Sequence, residues 1–322
     1  MDTIKWGIIG CGDVAEVKSG PAFQKVANSE LVAVMRRNKK KAKDFAERHD
    51  VPFFYNTIDG IINHCEINAL YIATPPSTHL QIAKQCLAAG KFVYLEKPMT
   101  LDANEAKELK KIVKENDKIV IAHYRRNLPA FQKVKELLNT NSIGKIHFVN
   151  ITILQSTTNN VIAKTDDNWR LKPETSGGGY FHDIAPHQID LMLHYFGNLK
   201  NAEGFSTSST QNNKVADIVN GIMTFESGIQ FRGIWNFIAS EKDVKDECKI
   251  YGEKGTITFS FYGEEVFFKT VDKNEVFSFE NPPHVQQPLI EQTVNYFLGK
   301  AENPCTINDG VEVMKILDSF TK

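Results

Sequence analysis

Near the middle of the chain, Thr175-Ser-Gly-Gly-Gly-Tyr-Phe-His-Asp-Ile-Ala-Pro-His187 holds three glycines, two histidines and an aspartate within thirteen residues. If a helix starts near Tyr180, then Asp183, His187, Asp190 and His194 fall at i, i+4, i+7 and i+11, on one narrow stripe. His182 points elsewhere and reads as structural. Such a stripe has three readings: the wet face of a surface helix, a divalent-metal site built from Asp and His at i, i+4, or a histidine general acid/base with an aspartate neighbour. The metal reading lacks an HExxH arrangement or a cysteine partner, so no metal is expected. Gly177 to Gly179 supply a backbone that a bound ring or a neighbouring segment can approach closely.

Two other stretches could bear on the same chemistry. Gly7-Ile-Ile-Gly10-Cys-Gly12-Asp-Val-Ala15 contains GxGxxA after a strand-like run. There Gly10 would permit a tight turn, Gly12 would let a pyrophosphate approach the backbone, and Ala15 would keep the following segment close to the strand, with Asp13 and Val14 between them. A purely structural turn is the alternative. Ser19-Gly-Pro21 should break the helix that follows after little more than a turn. The strand Leu31 to Met35 then runs into Arg36-Arg37-Asn38-Lys39, where an acid would bind ribose hydroxyls and repel a 2′-phosphate. Guanidinium forks suit phosphate, so NADP(H) is favoured and NAD(H) remains possible; a solvated helix start is the competing reading of this basic run.

Thr74-Pro75-Pro-Ser-Thr-His79 and Glu96-Lys97-Pro98 each follow a short apolar run, at strand ends of the kind where ligands bind in parallel sheets. Lys97 is therefore a stronger candidate than an ordinary exposed lysine. Thr74, Pro75, His79 and Glu96 join it as cofactor-side candidates.

The elements that must position these residues are legible as alternation. Apolar runs at Ile4 to Ile9, Leu31 to Met35, Ala69 to Ala73, Phe92 to Leu95 and Ile119 to Ala122 are separated by helical stretches at Lys39 to His49, His79 to Ala89 and Ala103 to Asn116, the last behind Asp102 as N-cap. This pattern predicts a doubly wound α/β domain with a parallel sheet over residues 1–123. Residues 124–322 then predict an α+β domain. It has a helix near Ala130 to Leu138, a strand from Lys145 to Leu154, a helix from Tyr180 to Phe196, and hairpins turning at Glu226-Ser-Gly228 and Gly252-Glu-Lys-Gly255. Helices near Pro288 to Leu298 and Ile307 to Phe320 close the chain and are free to pack back on the first domain. Phe231, Trp235 and Phe237 fall on one sheet face, and Ile234 and Ile238 on the other. A sheet apolar on both faces needs cover on both, which makes a homo-oligomer plausible.

Composition excludes several classes. With 38 basic and 39 acidic side chains in 322 residues, the basic excess of a nucleic-acid or membrane-surface binder is absent. Five scattered cysteines without a CxxC pair argue against a disulfide framework or zinc ribbon and for a reducing compartment. No basic-then-apolar leader opens the chain, and no apolar run approaches the ~18 to 20 residues that span a bilayer, so a cytoplasmic protein is expected.

GxGxxA at Gly10 to Ala15, Glu96-Lys97-Pro98, and Gly177-Gly-Gly179 followed by Asp183 and His187 together resemble the glucose-fructose oxidoreductase, inositol dehydrogenase and rhizopine-catabolism family (Gfo/Idh/MocA). The likeness spans nearly the whole chain. It implies a Rossmann domain, a C-terminal α+β domain whose open sheet forms homodimers or homotetramers, and a substrate cleft between the domains with Lys97, Asp183 and His187 as catalytic positions. It also implies oxidation or reduction of a hydroxyl or carbonyl of a sugar, inositol or diol with NAD or NADP. Arg36 in place of the frequent acid is similar to the NADP-using members, and Ser19-Gly-Pro21 is a departure. Tyr124, Arg125, Trp169 and Arg170 are further candidates for the substrate side. Two other outcomes stay open: an NAD-dependent glycosidase acting by transient oxidation, and a non-catalytic nucleotide-sensing protein.

Overall fold

A computed structural model of the chain describes residues 2–157, 168–209 and 214–322. Among these residues fourteen strands form two sheets. The chain divides into two compact units, one made of residues 1–125 and 282–314, the other of residues 126–281 and 315–322.

The first unit runs β1 (Ile4–Ile9), β2 (Ser29–Met35), α1 (Lys39–Arg48), β3 (Phe53–Tyr55), α2 (Ile58–Ile62), β4 (Ala69–Ile72), α3 (His79–Ala88), β5 (Phe92–Leu95), α4 (Ala103–Ile112) and β6 (Ile119–Ile121). All strand pairs are parallel, in the order β3-β2-β1-β4-β5-β6. This is the order of a doubly wound dinucleotide fold, with its reversal point between β1 and β4. Local chemistry fixes the helix starts. The Asn38 side chain accepts from Lys41 N to begin α1, and the Asp102 carboxylate accepts from Asn104 N and Glu105 N to begin α4. Helix α1 buries Ala42, Phe45 and Ala46 beneath an otherwise lysine-rich surface. Burial of a side chain such as Phe45 contributes ~1.5 to 3 kcal/mol, enough to hold a helix whose own propensity is marginal. Trp6, Phe23 and Phe297 form an aromatic cluster beside β1, with Trp6 and Phe23 ring centroids 4.7 Å apart.

The second unit contains α5 (Pro129–Asn139), β7 (Ile146–Leu154), α6 (Pro173–Ser176), α7 (Gly179–Phe196), β8 (Leu199–Thr207), β9 (Ile218–Phe225), β10 (Gln230–Asn236), β11 (Lys245–Gly252), β12 (Gly255–Phe259), β13 (Glu265–Thr270) and β14 (Asn274–Ser278). Its sheet has the order β14-β13-β12-β11-β7-β10-β9-β8 and is antiparallel except for the parallel β7–β10 pair. Trp235, fully buried on one face, packs edge-on to Phe181 of α7 and donates its indole N–H to Gln188 Oε1 at 3.0 Å. Two helices follow, α8 (Gln287–Phe297) in the first unit and α9 (Ile307–Thr321), within which the division between units falls at Met314/Lys315. The end of α9 comes so near the sheet that a Cβ on Gly221 would lie 2.1 Å from Phe320 Cε2.

Several elements were not anticipated: β3, α2, α6, β8, β13 and β14. Strand β3 is only three residues long, and β8, β13 and β14 place few buried apolar side chains, so none carries enough periodicity to register against its turns. Of the polar stretch from Gln155 to Pro173, residues 158–167 lie outside those described.

Candidate active site

The turn after β1 is built as its residues require. Gly10 has φ +96°, and a Cβ there would sit 2.9 Å from the Ala73 carbonyl group. Only glycine satisfies both conditions. At Gly12, by contrast, an added Cβ would meet nothing nearer than Gly10 O at 4.0 Å, so the backbone is open on that side. Close approach of a pyrophosphate needs such a bare backbone, and the turn fits a dinucleotide. Asp13 is exposed, Val14 is half-buried and Ala15 is buried. The chain then leaves through a π-helical turn, Ala15–Ser19, and a 3₁₀ turn, Gly20–Gln24, the interruption expected at Ser19-Gly-Pro21. Arg36, half-buried at the end of β2, donates from Nη1 to Cys11 O at 3.2 Å, which places its guanidinium beside the glycine turn; Arg37 is exposed. Burial pushes the Cys11 thiol up to about 11, so this cysteine is an inert wall of the turn.

At the ends of β4 and β5 a second group assembles. His79 is fully buried, with Nδ1 3.0 Å from Pro98 O and Nε2 2.7 Å from Thr74 O. Burial holds its pKa below the ordinary range against the opposing pull of those carbonyls and of Glu96. The imidazole thus ties the Thr74-Pro75 turn to the Lys97-Pro98 turn. Pro75 and Thr74 are half-buried, and Thr74 Oγ1 accepts from Thr78 Oγ1 at 2.7 Å. Glu96 faces inward, 5% exposed. Its Oε1 accepts from Tyr71 Oη and Gln286 Nε2, both at 2.6 Å, and its Oε2 accepts from Lys97 N at 3.0 Å. Lys97 is half-buried and the Lys97-Pro98 bond is cis.

Tyr124 and Arg125 follow β6, both buried, with the guanidinium 5.6 Å from the phenol ring centroid. Burial alone would raise the Tyr124 phenol, but the positive charges of Arg125, Lys18 and Lys97 outweigh it and bring its pKa below the usual phenol range. Within the first unit, then, Lys97 and Tyr124 share an electrostatic environment that includes Lys18.

The second unit holds the glycine-rich helix. α7 starts one residue earlier than expected, at Gly179, whose N–H donates to Ser176 Oγ at 3.1 Å. The His182 ring lies against Gly178, where a Cβ would be 2.0 Å from Nδ1, so His182 is packed into the helix start. The stripe is not a wet face. His187 is 3% and Asp190 1% exposed, whereas Asp183 is half-buried. Asp190 receives two bonds from Arg126, Nε to Oδ2 at 2.8 Å and Nη2 to Oδ1 at 2.6 Å. Asp183 Oδ2 accepts from Arg170 Nε at 2.8 Å, and Arg170 lies 4.6 Å from the Trp169 ring centroid. Spacing alone put Asp190 on the stripe, but it could not reveal that Arg126 takes it for a structural ion pair. Ser176, Gln286, Tyr71 and Arg126 escaped the sequence reading, since each acts through a partner brought close only by folding. Among the described residues no group of three or more His, Cys, Asp or Glu side chains is placed to hold a metal ion, and no helix is long and apolar enough to cross a membrane.

Comparison with known proteins bears on both units. Residues 4–124 match the family described as oxidoreductase family, NAD-binding Rossmann fold, and residues 131–258 match the GFO/IDH/MocA C-terminal domain. Oxidoreductase P35 of Formosa agariphila is 54% identical over 322 residues, covering 98% of each chain. The NADP(+)-dependent scyllo-inositol 2-dehydrogenase IolW of Bacillus subtilis is 29% identical over 219 residues, 67% of this chain and 58% of that one. Among solved structures, levoglucosan dehydrogenase in complex with NADH superposes with a TM-score of 0.88 at 20% identity, covering 99% of this chain and 96% of that one, a likeness of fold. With a dinucleotide turn in the first unit, a glycine-led helix in the second and both family domains matched in order, the chain belongs to the Gfo/Idh/MocA family of NAD(P)-dependent oxidoreductases.

Proposed function

We propose that the protein transfers a hydride between a nicotinamide, NADP(H) in preference to NAD(H), and a hydroxyl- or carbonyl-bearing carbon of a sugar, inositol or related diol. The observation that carries the reading lies in the first unit. The bare turn at Gly10 to Gly12, the Arg36 guanidinium bonded to Cys11 O, and Lys97, whose N–H is bonded to Glu96, lie at the carboxyl ends of β1, β2 and β5. Ligands bind at such strand ends in doubly wound sheets. The names of relatives, an inositol dehydrogenase and a levoglucosan dehydrogenase, support a polyhydroxylated substrate.

The nicotinamide supplies the hydride chemistry when bound; the protein contributes position, charge and a proton. His187 takes the hydroxyl proton in oxidation and returns it in reduction. Lys97, at the end of β5, is the proposed cation that stabilises negative charge developing on the substrate. Asp183, held by Arg170, orients His187 or a neighbouring substrate hydroxyl. His187→Ala is expected to cost ~10²- to 10⁴-fold in kcat with NADPH affinity nearly intact, measured by steady-state turnover and fluorescence titration. Wild-type turnover in that variant would remove His187 from the mechanism. Net hydrolysis without accumulation of reduced nicotinamide would favour the glycosidase reading, and nucleotide binding without turnover across a sugar and polyol panel would favour a sensor.

The open face of the second sheet is proposed to pair with a second copy of the chain. It exposes Phe205 (69%), Ile222 (58%) and Phe148 (37%), around a concavity lined by Asn150, Gly204 and Arg232. Exposed apolar area of this kind marks an interaction surface. Sedimentation of wild type and Ile222→Arg tests it: an unchanged, monomeric wild type would overturn the pairing.

A further inference from the structure

Gln286 is fully buried in the first unit, immediately before α8, and neither the dinucleotide turn nor the hydride chemistry calls for it. Its backbone N–H donates to Lys18 O at 3.2 Å, in the π-helical turn that leaves Gly10 to Gly12. Its side-chain Nε2 donates to Glu96 Oε1 at 2.6 Å, and its Oε1 accepts from Tyr94 Oη at 2.9 Å. The orientation of the amide follows from chemistry, because a carboxylate accepts only and must face the NH₂ end. Burial raises the Tyr71 and Tyr94 phenols well above their ordinary range, so both stay protonated and act as donors. Tyr71 also accepts from Ser19 Oγ at 3.1 Å. A continuous set of bonds therefore runs from the π-helical turn, through Gln286 and Tyr71, to Glu96, and from Glu96 Oε2 to the backbone N–H of Lys97.

We propose that Gln286 is a positioning residue that holds Glu96, and through it Lys97, in register with the dinucleotide turn. The proposal rests on the role given to Lys97 above. An apolar side chain of similar size would fill the space yet leave Glu96 Oε1 short of a donor. An ionised carboxylate there would set two like charges within hydrogen-bond distance, an arrangement in which one group must keep a proton. A primary amide gives an N–H to Glu96 and takes the Tyr94 hydroxyl at once, and stays neutral at every pH.

The test compares Gln286→Leu, Gln286→Glu and Lys97→Ala with wild type as full-length chains. Amide hydrogen exchange, read residue by residue on the cofactor-free protein, should speed up at Lys97 by about tenfold or more in Gln286→Leu. Exchange at Ala122, whose N–H is bonded to Leu95 O at 2.8 Å, should stay unchanged. NADPH affinity, measured by nicotinamide fluorescence, should fall about tenfold in the same variant. Gln286→Glu adds a readout that space-filling cannot produce. Relative to wild type at each pH, it should bind NADPH normally while the two carboxyls share a proton, and lose affinity as that proton leaves with rising pH. Unchanged Lys97 exchange and NADPH affinity in Gln286→Leu would overturn the proposal. So would a Gln286→Glu affinity ratio that does not vary with pH, which also decides the matter if Gln286→Leu fails to fold. Wild-type turnover of scyllo-inositol or another panel substrate by Lys97→Ala would instead sink the role of Lys97, while the exchange and affinity results would still report on the Gln286 link itself.

Discussion

Arg170 donates its Nε–H to Oδ2 of Asp183 at 2.8 Å, the Arg170 side chain 8% and the Asp183 side chain 21% exposed. The arginine comes from the 3₁₀ turn Trp169–Leu171 and the aspartate from the second turn of α7, so the pair braces the glycine-led helix start from outside. Arg170→Ala should lower kcat by about tenfold to a hundredfold, because Asp183 loses a charge-assisted bond that fixes its rotamer. Arg170→Lys should recover only part of that loss, since a lysine cannot reproduce the planar fork stacked on Trp169. Steady-state kinetics of the two variants checks this; equal kcat in wild type and Arg170→Ala would show that Asp183 needs no brace.

The Arg126–Asp190 pair is a matter of stability rather than chemistry. Both side chains are nearly buried, at 7% and 1% exposure. Arg126→Ala leaves a buried carboxylate without this guanidinium and should cost ~3 to 5 kcal/mol in denaturant unfolding. Arg126→Met combined with Asp190→Leu should recover most of the loss, because the desolvation penalty disappears with both charges. A single variant as stable as wild type would contradict the pair's assigned role.

Tyr124 should ionise below the ~10 of an ordinary phenol. The cations Arg125, Lys18 and Lys97 favour its phenolate, while burial opposes it. Ultraviolet difference titration should therefore display an early phenol transition that vanishes in Tyr124→Phe and moves upward in Lys97→Ala. Tyr71 and Tyr94, raised by burial, should contribute nothing until the fold is lost. A first transition at the ordinary phenol value in the native protein would refute the balance of charges drawn here.

Arg36→Asp tests the cofactor preference. The wild-type guanidinium is bonded to Cys11 O and stands beside the glycine turn. The substitution should weaken NADPH binding by about tenfold or more and improve NADH binding, through loss of the phosphate fork and gain of a ribose acceptor. Fluorescence titration with both nucleotides gives the ratio. If it does not move, Arg36 is not the reader of the 2′-phosphate.

Much of the first unit was legible from the chain alone because its signals are local. A buried parallel strand announces itself within four to six residues, a capping Asp102 lies next to the helix it starts, and GxGxxA states its conformational demand in six positions. The same locality explains the candidates found: Lys97 stands at a strand end, and the spacing of Asp183 and His187 depends only on helical geometry. The weaker strands β8, β13 and β14 were missed, since an exposed open sheet face dilutes alternation with polar residues on one side and apolar residues on both.

From the amino-acid chain alone come the strand and helix alternation of the first domain, the family resemblance and the residue types available for chemistry. Tertiary structure alone decided which of those residues are occupied by structural partners. Arg170 meets Asp183 across 13 residues, Arg126 meets Asp190 across 64 and Gln286 meets Glu96 across 190. Burial decided the rest: a helical stripe that reads identically wet or dry in sequence is dry at His187 and Asp190, and there an unpaired charge is too costly to leave without a partner.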